Sequence, residues 1–220
     1  MDTILSTNQT VEDLVAPFMD EESLLAMTQV SRKRQCYRTI VVDRKFGDTK
    51  RLLLSDNNLS CISVEINQLV NLMALYLAYN RITKLPSSFG NGLVNLKELN
   101  LAHNRLTKLP KSFGISLVNL TSLFLEGNQL TELPDSFGIG LEKLRFLYLT
   151  GNRLTTLPDL FYMRLINLKI LVLMRNQLGD SIESTVTELS KNARIYLRHN
   201  CLTRGLQIKL QLQFGNKIEV

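Results

Sequence analysis

The chain has no tryptophan, and its 220 residues hold only three cysteines, two histidines and five prolines. Each scarcity excludes something. Cys36, Cys61 and Cys201 are odd in number and far apart, with no metal or redox spacing, so reduced thiols in a cytoplasmic compartment are expected. No apolar run approaches the roughly 18 residues of a membrane helix, and the start carries no signal-peptide pattern, so neither a membrane partner nor secretion is expected. Without secretion, the glycosylation-type triplets at Asn8, Asn58 and Asn119 carry no meaning. Glycine-rich phosphate loops are absent. The 26 Lys+Arg exceed the 20 Asp+Glu by six, a mildly basic balance. No dense basic run makes a nucleic-acid arm, so no nucleic-acid partner is expected.

What the chain does have is a period. Asn57, Asn80, Asn104, Asn128, Asn152, Asn176 and Asn200 recur, the first interval being 23 residues and the others 24. Around Asn80, Asn104, Asn128 and Asn152 stands the same full pattern, as in Leu99-Asn100-Leu101-Ala102-His103-Asn104-Arg105-Leu106, followed by Leu109-Pro110 and Phe113. A repeat of this length predicts a solenoid, whose units stack and bury one continuous core. Leu75 and Leu77, Leu99 and Leu101, and Leu123 and Leu125 alternate with other residues, the two-residue period of a short half-buried strand. Leu-Pro pairs at 85–86, 109–110, 133–134 and 157–158 predict an extended segment after Asn80, Asn104, Asn128 and Asn152. Phe89, Phe113, Phe137 and Phe161 keep the same period and are expected in the core behind the strands.

The pattern LxLxxNxL…LPxxF resembles the leucine-rich repeat family over roughly 150 residues. The resemblance implies an α/β solenoid: a horseshoe with a parallel concave sheet and a small helical N-terminal element. It also implies that the asparagines form a hydrogen-bonded ladder that satisfies buried backbone groups. The expected organisation is a helical segment over 1–48, repeats over 49–202 and a C-terminal cap over 203–220. The fifth full repeat departs from the pattern. After Asn176 there is no Leu-Pro; Asp180 and Glu183 resemble a capping box, and Ile182, Val186 and Leu189 share one helical face. At the end, Leu206, Ile208, Leu210, Leu212 and Phe214 alternate, which predicts a closing strand.

Residues 1–48 do not fit the repeat. Val11, Leu14, Val15 and Phe18 fall on one helical face, and Asp20 can cap a second helix with Leu24, Leu25, Met27 and Val30. The run from Phe18 to Lys33 is similar to the second half of an F-box. Its first half departs from that motif, with Thr7-Asn8 where Leu-Pro is expected and Arg34 in place of the tryptophan. The resemblance implies docking of Leu14, Val15, Phe18, Met19, Leu24, Leu25 and Val30 onto the Skp-type adaptor of cullin-based (SCF) ubiquitin ligases. The repeats would then recognise the target. The alternative is a cap that covers the first leucine layer of a stand-alone interaction module, such as a bacterial effector or an enzyme regulator. An effector would work in the host cytosol.

The register also predicts which side chains meet a partner. Between the two strand leucines stand Leu53, Tyr76, Asn100, Phe124, Tyr148, Val172 and Tyr196, with Phe146 on the same face. Four of these seven are aromatic in a chain that is 7% aromatic, and aromatic residues anchor protein interfaces. Tyr79, Arg81, His103, Arg105, Arg153, Arg175, His199 and Arg198 border the stripe. With strands about 4.8 Å apart, the strip is roughly 29 Å long, enough for a protein target. His103 and His199 stand four repeats apart, about 19 Å on the same spacing, and cannot share a metal. No cysteine has the context of a nucleophile with its base. The expectation is a monomeric, non-enzymatic protein-binding adaptor without cofactor or metal.

Overall fold

The computed structural model of the chain describes Thr39–Ile40 and residues 49–220. Leucines two apart need one buried face over a very short run, and each such run forms a strand of two or three residues. In chain order the strands are β1 (Thr39–Ile40), β2 (Arg51–Leu53), β3 (Cys61–Ile62), β4 (Ala74–Tyr76), β5 (Glu98–Asn100), β6 (Ser122–Phe124), β7 (Phe146–Tyr148), β8 (Ile170–Val172), β9 (Arg194–Tyr196) and β10 (Ile218–Glu219). The helices are α1 (Phe161–Arg164), α2 (Glu183–Ser190) and α3 (Arg204–Phe214). Among the described residues, β2, β4 to β9 and β10 form one open parallel sheet of eight strands in chain order. Register never slips: Leu52, Leu75, Leu99, Leu123, Leu147, Leu171, Ile195 and Ile218 make one row across it. This is the expected solenoid with a parallel concave sheet.

The asparagines close the turn that leaves each strand. Asn128 Oδ1 accepts the Leu106 N–H at 3.0 Å, while its Nδ2 donates to the carbonyls of Leu101 at 2.9 Å and Leu125 at 3.0 Å. Asn104 makes the same three bonds one repeat earlier, to Ile82, Leu77 and Leu101. Each asparagine from Asn80 to Asn200 thus ties two adjacent turns, and the six from Asn57 to Asn176 are buried. The predicted ladder is present, and it pairs backbone groups that water cannot reach.

Each proline then opens a turn that carries its phenylalanine inward. The carbonyls of Pro86, Pro110, Pro134 and Pro158 accept the N–H groups of Phe89, Phe113, Phe137 and Phe161. The four rings are buried and stack in a spine, with centroids 6.2, 6.2 and 5.8 Å apart. In the first repeat Ile66, on a 3-10 turn over Val64–Gln68, fills the equivalent layer. The fifth repeat replaces the spine with α2, which buries Val186 and Leu189 as expected, together with Ile182 just before it.

Two expectations near the C-terminus need correction. Asp180 does not close a capping box with Glu183; its carboxylate accepts the Thr203 N–H at 2.9 Å and the Thr203 hydroxyl at 2.7 Å. Those two bonds, the side chain's first, hold the Asp180 carboxyl below its usual range. They also position Thr203, whose own hydroxyl caps α3 by accepting the Leu206 N–H. The alternating run 206–214 is therefore a helix and not a strand. Leu206 and Leu210, four apart, are buried, while Ile208 and Leu212 face solvent. Gly215, at φ 54°, ends the helix where a side chain would be strained. Closure by a strand still occurs, a few residues later: β10 pairs with β9 through Ile218 and Ile195.

At the other end, β1 pairs with β3 in a separate two-stranded sheet, Ile40 beside Ile62. Ile62 holds the place that Leu85 holds one repeat later, so Thr39 and Ile40 run alongside the outward leg of the first repeat. The candidate adaptor residues Leu14, Val15, Phe18, Met19, Leu24, Leu25 and Val30 lie outside the described residues.

Candidate functional site: the concave strip and its edges

Strand alternation sends the row Leu53, Tyr76, Asn100, Phe124, Tyr148, Val172 and Tyr196 away from the leucine core. Leu53 is 54% exposed and the other six are half-buried. At the centre, Phe124 and Tyr148 stack with centroids 4.9 Å apart and planes 6° from parallel. Tyr76 is braced. Its hydroxyl donates to Glu98 Oε2 at 2.8 Å, and Arg51 lies over its ring at 5.6 Å. Burial, then the bond to Glu98, raises the Tyr76 hydroxyl above the usual tyrosine value. Phe146 sits one row away, with the Arg145 guanidinium 5.6 Å from its ring centre.

The lip of the strip is built from strained backbone. The residue before each ladder asparagine has positive φ: Asp56, Tyr79, His103, Gly127, Gly151, Arg175 and His199. Glycine takes this conformation freely, whereas other residues store about 1 kcal/mol or more there. Tyr79 and His103 nevertheless occupy it and stack on each other at 4.4 Å. Gly127 makes room for the pair, since a Cβ there would lie 2.5 Å from His103 Nδ1. Tyr79, His103 and Gly127 thus form one flat ledge beside the aromatic row.

Glu126 stands next to this ledge. Its Oε2 is buried without a hydrogen-bond partner, and burial raises its carboxyl above the ordinary value, against the opposing pull of nearby backbone N–H groups and of His103. Arg81, Arg105, Arg153 and Arg175 are exposed and form no ion pair among the described residues. The side chain of Arg198 is engaged differently, in a 2.8 Å ion pair with Glu219 of β10. Of the residues expected from sequence, the structure brings Tyr79 to His103 and Phe124 to Tyr148. It keeps His103 and His199 in separate repeats.

Sequence reasoning missed the cations at the starts of the strands: Arg51 and Arg194 open β2 and β9, and Arg145, Lys169 and Lys217 directly precede β7, β8 and β10. Their signal was available, because Arg145 and Lys169 hold the same position in successive repeats. Among the described residues, no group of three or more His, Cys, Asp or Glu is arranged to hold a metal ion. No helix among them is long and apolar enough to cross a membrane.

The family model of the leucine rich repeat matches the chain three times, over residues 70–130, 94–154 and 118–178. The repeats over residues 70–178 are leucine-rich repeats. Among solved structures, a leucine-rich-repeat protein of Leptospira interrogans is similar at 29% identity and a TM-score of 0.69, over 83% of this chain and 48% of that one. The TLR13–ssRNA13 complex is similar at 26% identity and a TM-score of 0.62, over 70% of this chain and 22% of that one. The chain therefore spans less than half the length of either. No curated protein matches it. Leucine-rich repeats generally serve as interaction modules.

Proposed function

We propose that the chain is a non-enzymatic adaptor that holds a protein target on its concave face. The observation that carries this reading is the row Tyr76, Phe124, Tyr148 and Tyr196, half-exposed on a rigid sheet. Anchors of this kind concentrate binding energy because ordering them costs little entropy. Arg81, Arg105, Arg153 and Arg175 along the lip supply charge without an internal partner. The test is a photo-crosslinking amino acid at position 148, with Tyr76, Phe124 and Tyr196 intact or replaced by alanine. A protein trapped only when the three rings are present supports the face. Equal trapping by the folded triple variant would refute it.

The finer reading gives residues 1–48 a second partner, the Skp-type adaptor of SCF ubiquitin ligases. It rests on the F-box-like run from Phe18 to Lys33 and on a cytosolic location. In that case the chain is a substrate receptor, and tethering alone brings target and ubiquitin machinery together. The pairing of β1 with β3 favours the other reading, a cap on a stand-alone module, because it ties Thr39 and Ile40 to the first repeat. Calorimetric titration of the full chain and its L24D/L25D variant against the adaptor separates the two. Binding lost in the variant supports the receptor; no binding by the unmodified chain leaves the cap.

A further inference from the structure

We propose that the groove beside the last four strands of the sheet takes an acidic peptide segment of the protein target. The inference rests on the concave-face reading and names the chemistry of one end of that face.

The groove spans β7, β8, β9 and β10. In its inner row Phe146, Ile170, Arg194 and Lys217 stand at equivalent positions, each just before a core residue of its strand. In the outer row are Arg145, Lys169, Ala193 and Asn216. Four cations therefore line a groove of about 500 Å³ to which no carboxylate contributes. All four are exposed, and none forms an ion pair among the described residues. Lys217 donates only to a backbone carbonyl, that of Lys191, at 3.2 Å.

Two other surface grooves decide by contrast. One pairs Lys108 and Lys111 with Glu132 and Asp135, and its Lys108–Glu132 bridge is already made at 2.9 Å. The other has Lys50 and Lys97 but no aromatic floor. Of these three grooves, the one over β7 to β10 alone combines uncompensated positive charge with an aromatic ring.

Its dimensions suit a short segment. Three strand intervals span about 14 Å, the length of roughly four extended residues. A nucleic acid fits less well. Phe146, the ring available for base stacking, already carries the Arg145 guanidinium. A longer polyanion running on across the sheet would also meet Glu98 and Glu126. An acidic segment with one apolar residue satisfies the cations, fills the space over Ile170 and ends before those carboxylates.

The probe is the labelled peptide Glu-Asp-Glu-Leu-Glu-Asp-Leu-Glu, titrated by fluorescence anisotropy into the full chain. The comparisons are its Gln/Asn isostere and an eight-nucleotide oligo-uridine. Three chain variants are needed: K169A/R194A/K217A in the groove, K84A/K108A/K111A as a charge-matched control, and Y76A/F124A/Y148A/Y196A on the strip. Unchanged urea midpoints for the exposed-lysine and arginine variants establish that they fold. The expected result is peptide binding that weakens with salt, falls at least tenfold in the groove variant and survives in the other two. The isostere should not bind. Absence of peptide binding, equal loss in the charge-matched control, or tighter binding of oligo-uridine overturns the groove. None of those results touches the strip, whose own test is the crosslink at position 148.

Discussion

Replacing Asn128 with alanine isolates what one rung of the ladder contributes. Four bonds disappear: one accepted from Leu106 N–H, a long one of 3.5 Å donated to the Glu126 carbonyl, which keeps the His103 N–H, and two donated to the carbonyls of Leu101 and Leu125. The two carbonyls keep a partner each, because Asn104 also donates to Leu101 at 3.1 Å and Asn152 to Leu125 at 3.0 Å. The orphan is the Leu106 N–H, buried behind a residue of zero exposure. An unpaired buried donor costs about 1–3 kcal/mol, and each replaceable bond about 1 kcal/mol or less, so the total loss is about 2–4 kcal/mol. Asn200 makes a matching set of bonds, to Leu178, Leu173 and Leu197, yet it is half-exposed and water can take its place. Alanine there should cost about 1 kcal/mol or less. Urea titration followed by circular dichroism measures both, with unchanged slopes required because solenoids can unfold piecemeal. Asn128→Asp adds a control on donor loss. A carboxylate facing two carbonyls is penalised, so its midpoint should rise as pH falls and the group protonates. Equal losses at 128 and 200, or a loss below about 1 kcal/mol at 128, would refute the account of the ladder.

Phe113→Ala opens a gap between two stacked neighbours in the spine and should cost about 3–5 kcal/mol by urea titration. Glu126 has a carboxyl raised above 4.5 by burial, so the folded state favours its protonated form. Its stabilising contribution is present below pH 4.5 and fades as pH rises through the raised value; Glu126→Gln should therefore raise Tm at pH 7 and leave it unchanged at pH 3. Arg175→Gly relieves a residue held at φ 54° and should stabilise by up to about 1 kcal/mol in thermal melts. Gly127→Ala, at φ 66° and against the His103 ring, should destabilise in the same assay.

Most of the solenoid was legible because its physics is local and repeated. Seven asparagines 23 or 24 residues apart announce the ladder, and leucines two apart announce the strands. Where the repeat stops, the guide stops. The alternating run from Leu206 to Phe214 satisfies a period of two and a period of four equally, and only the docking of Leu206 and Leu210 chooses the helix. Asp180 and Glu183 have capping-box spacing, but Thr203, over twenty residues away, offers Asp180 two better bonds. The aromatic row was legible because strand alternation fixes which residues face outward. The groove over β7 to β10 was not, because it needs Lys217, which β10 brings beside Arg194 from beyond the last repeat.

The unbroken register has a further meaning for how such a chain can change. Every ladder bond and strand pair joins a repeat only to its immediate neighbours, and each junction obeys the same rule. Inserting or deleting one whole 24-residue unit between β5 and β7 would leave every remaining junction chemically intact. The reach of the sheet would change by one strand spacing of about 4.8 Å. Losing a single residue within a strand would instead put the wrong side chains into the core, whereas the 23-residue first interval keeps its register with one residue fewer outside the strand. Length is thus adjustable in whole steps, which makes the molecule a ruler with fixed graduations.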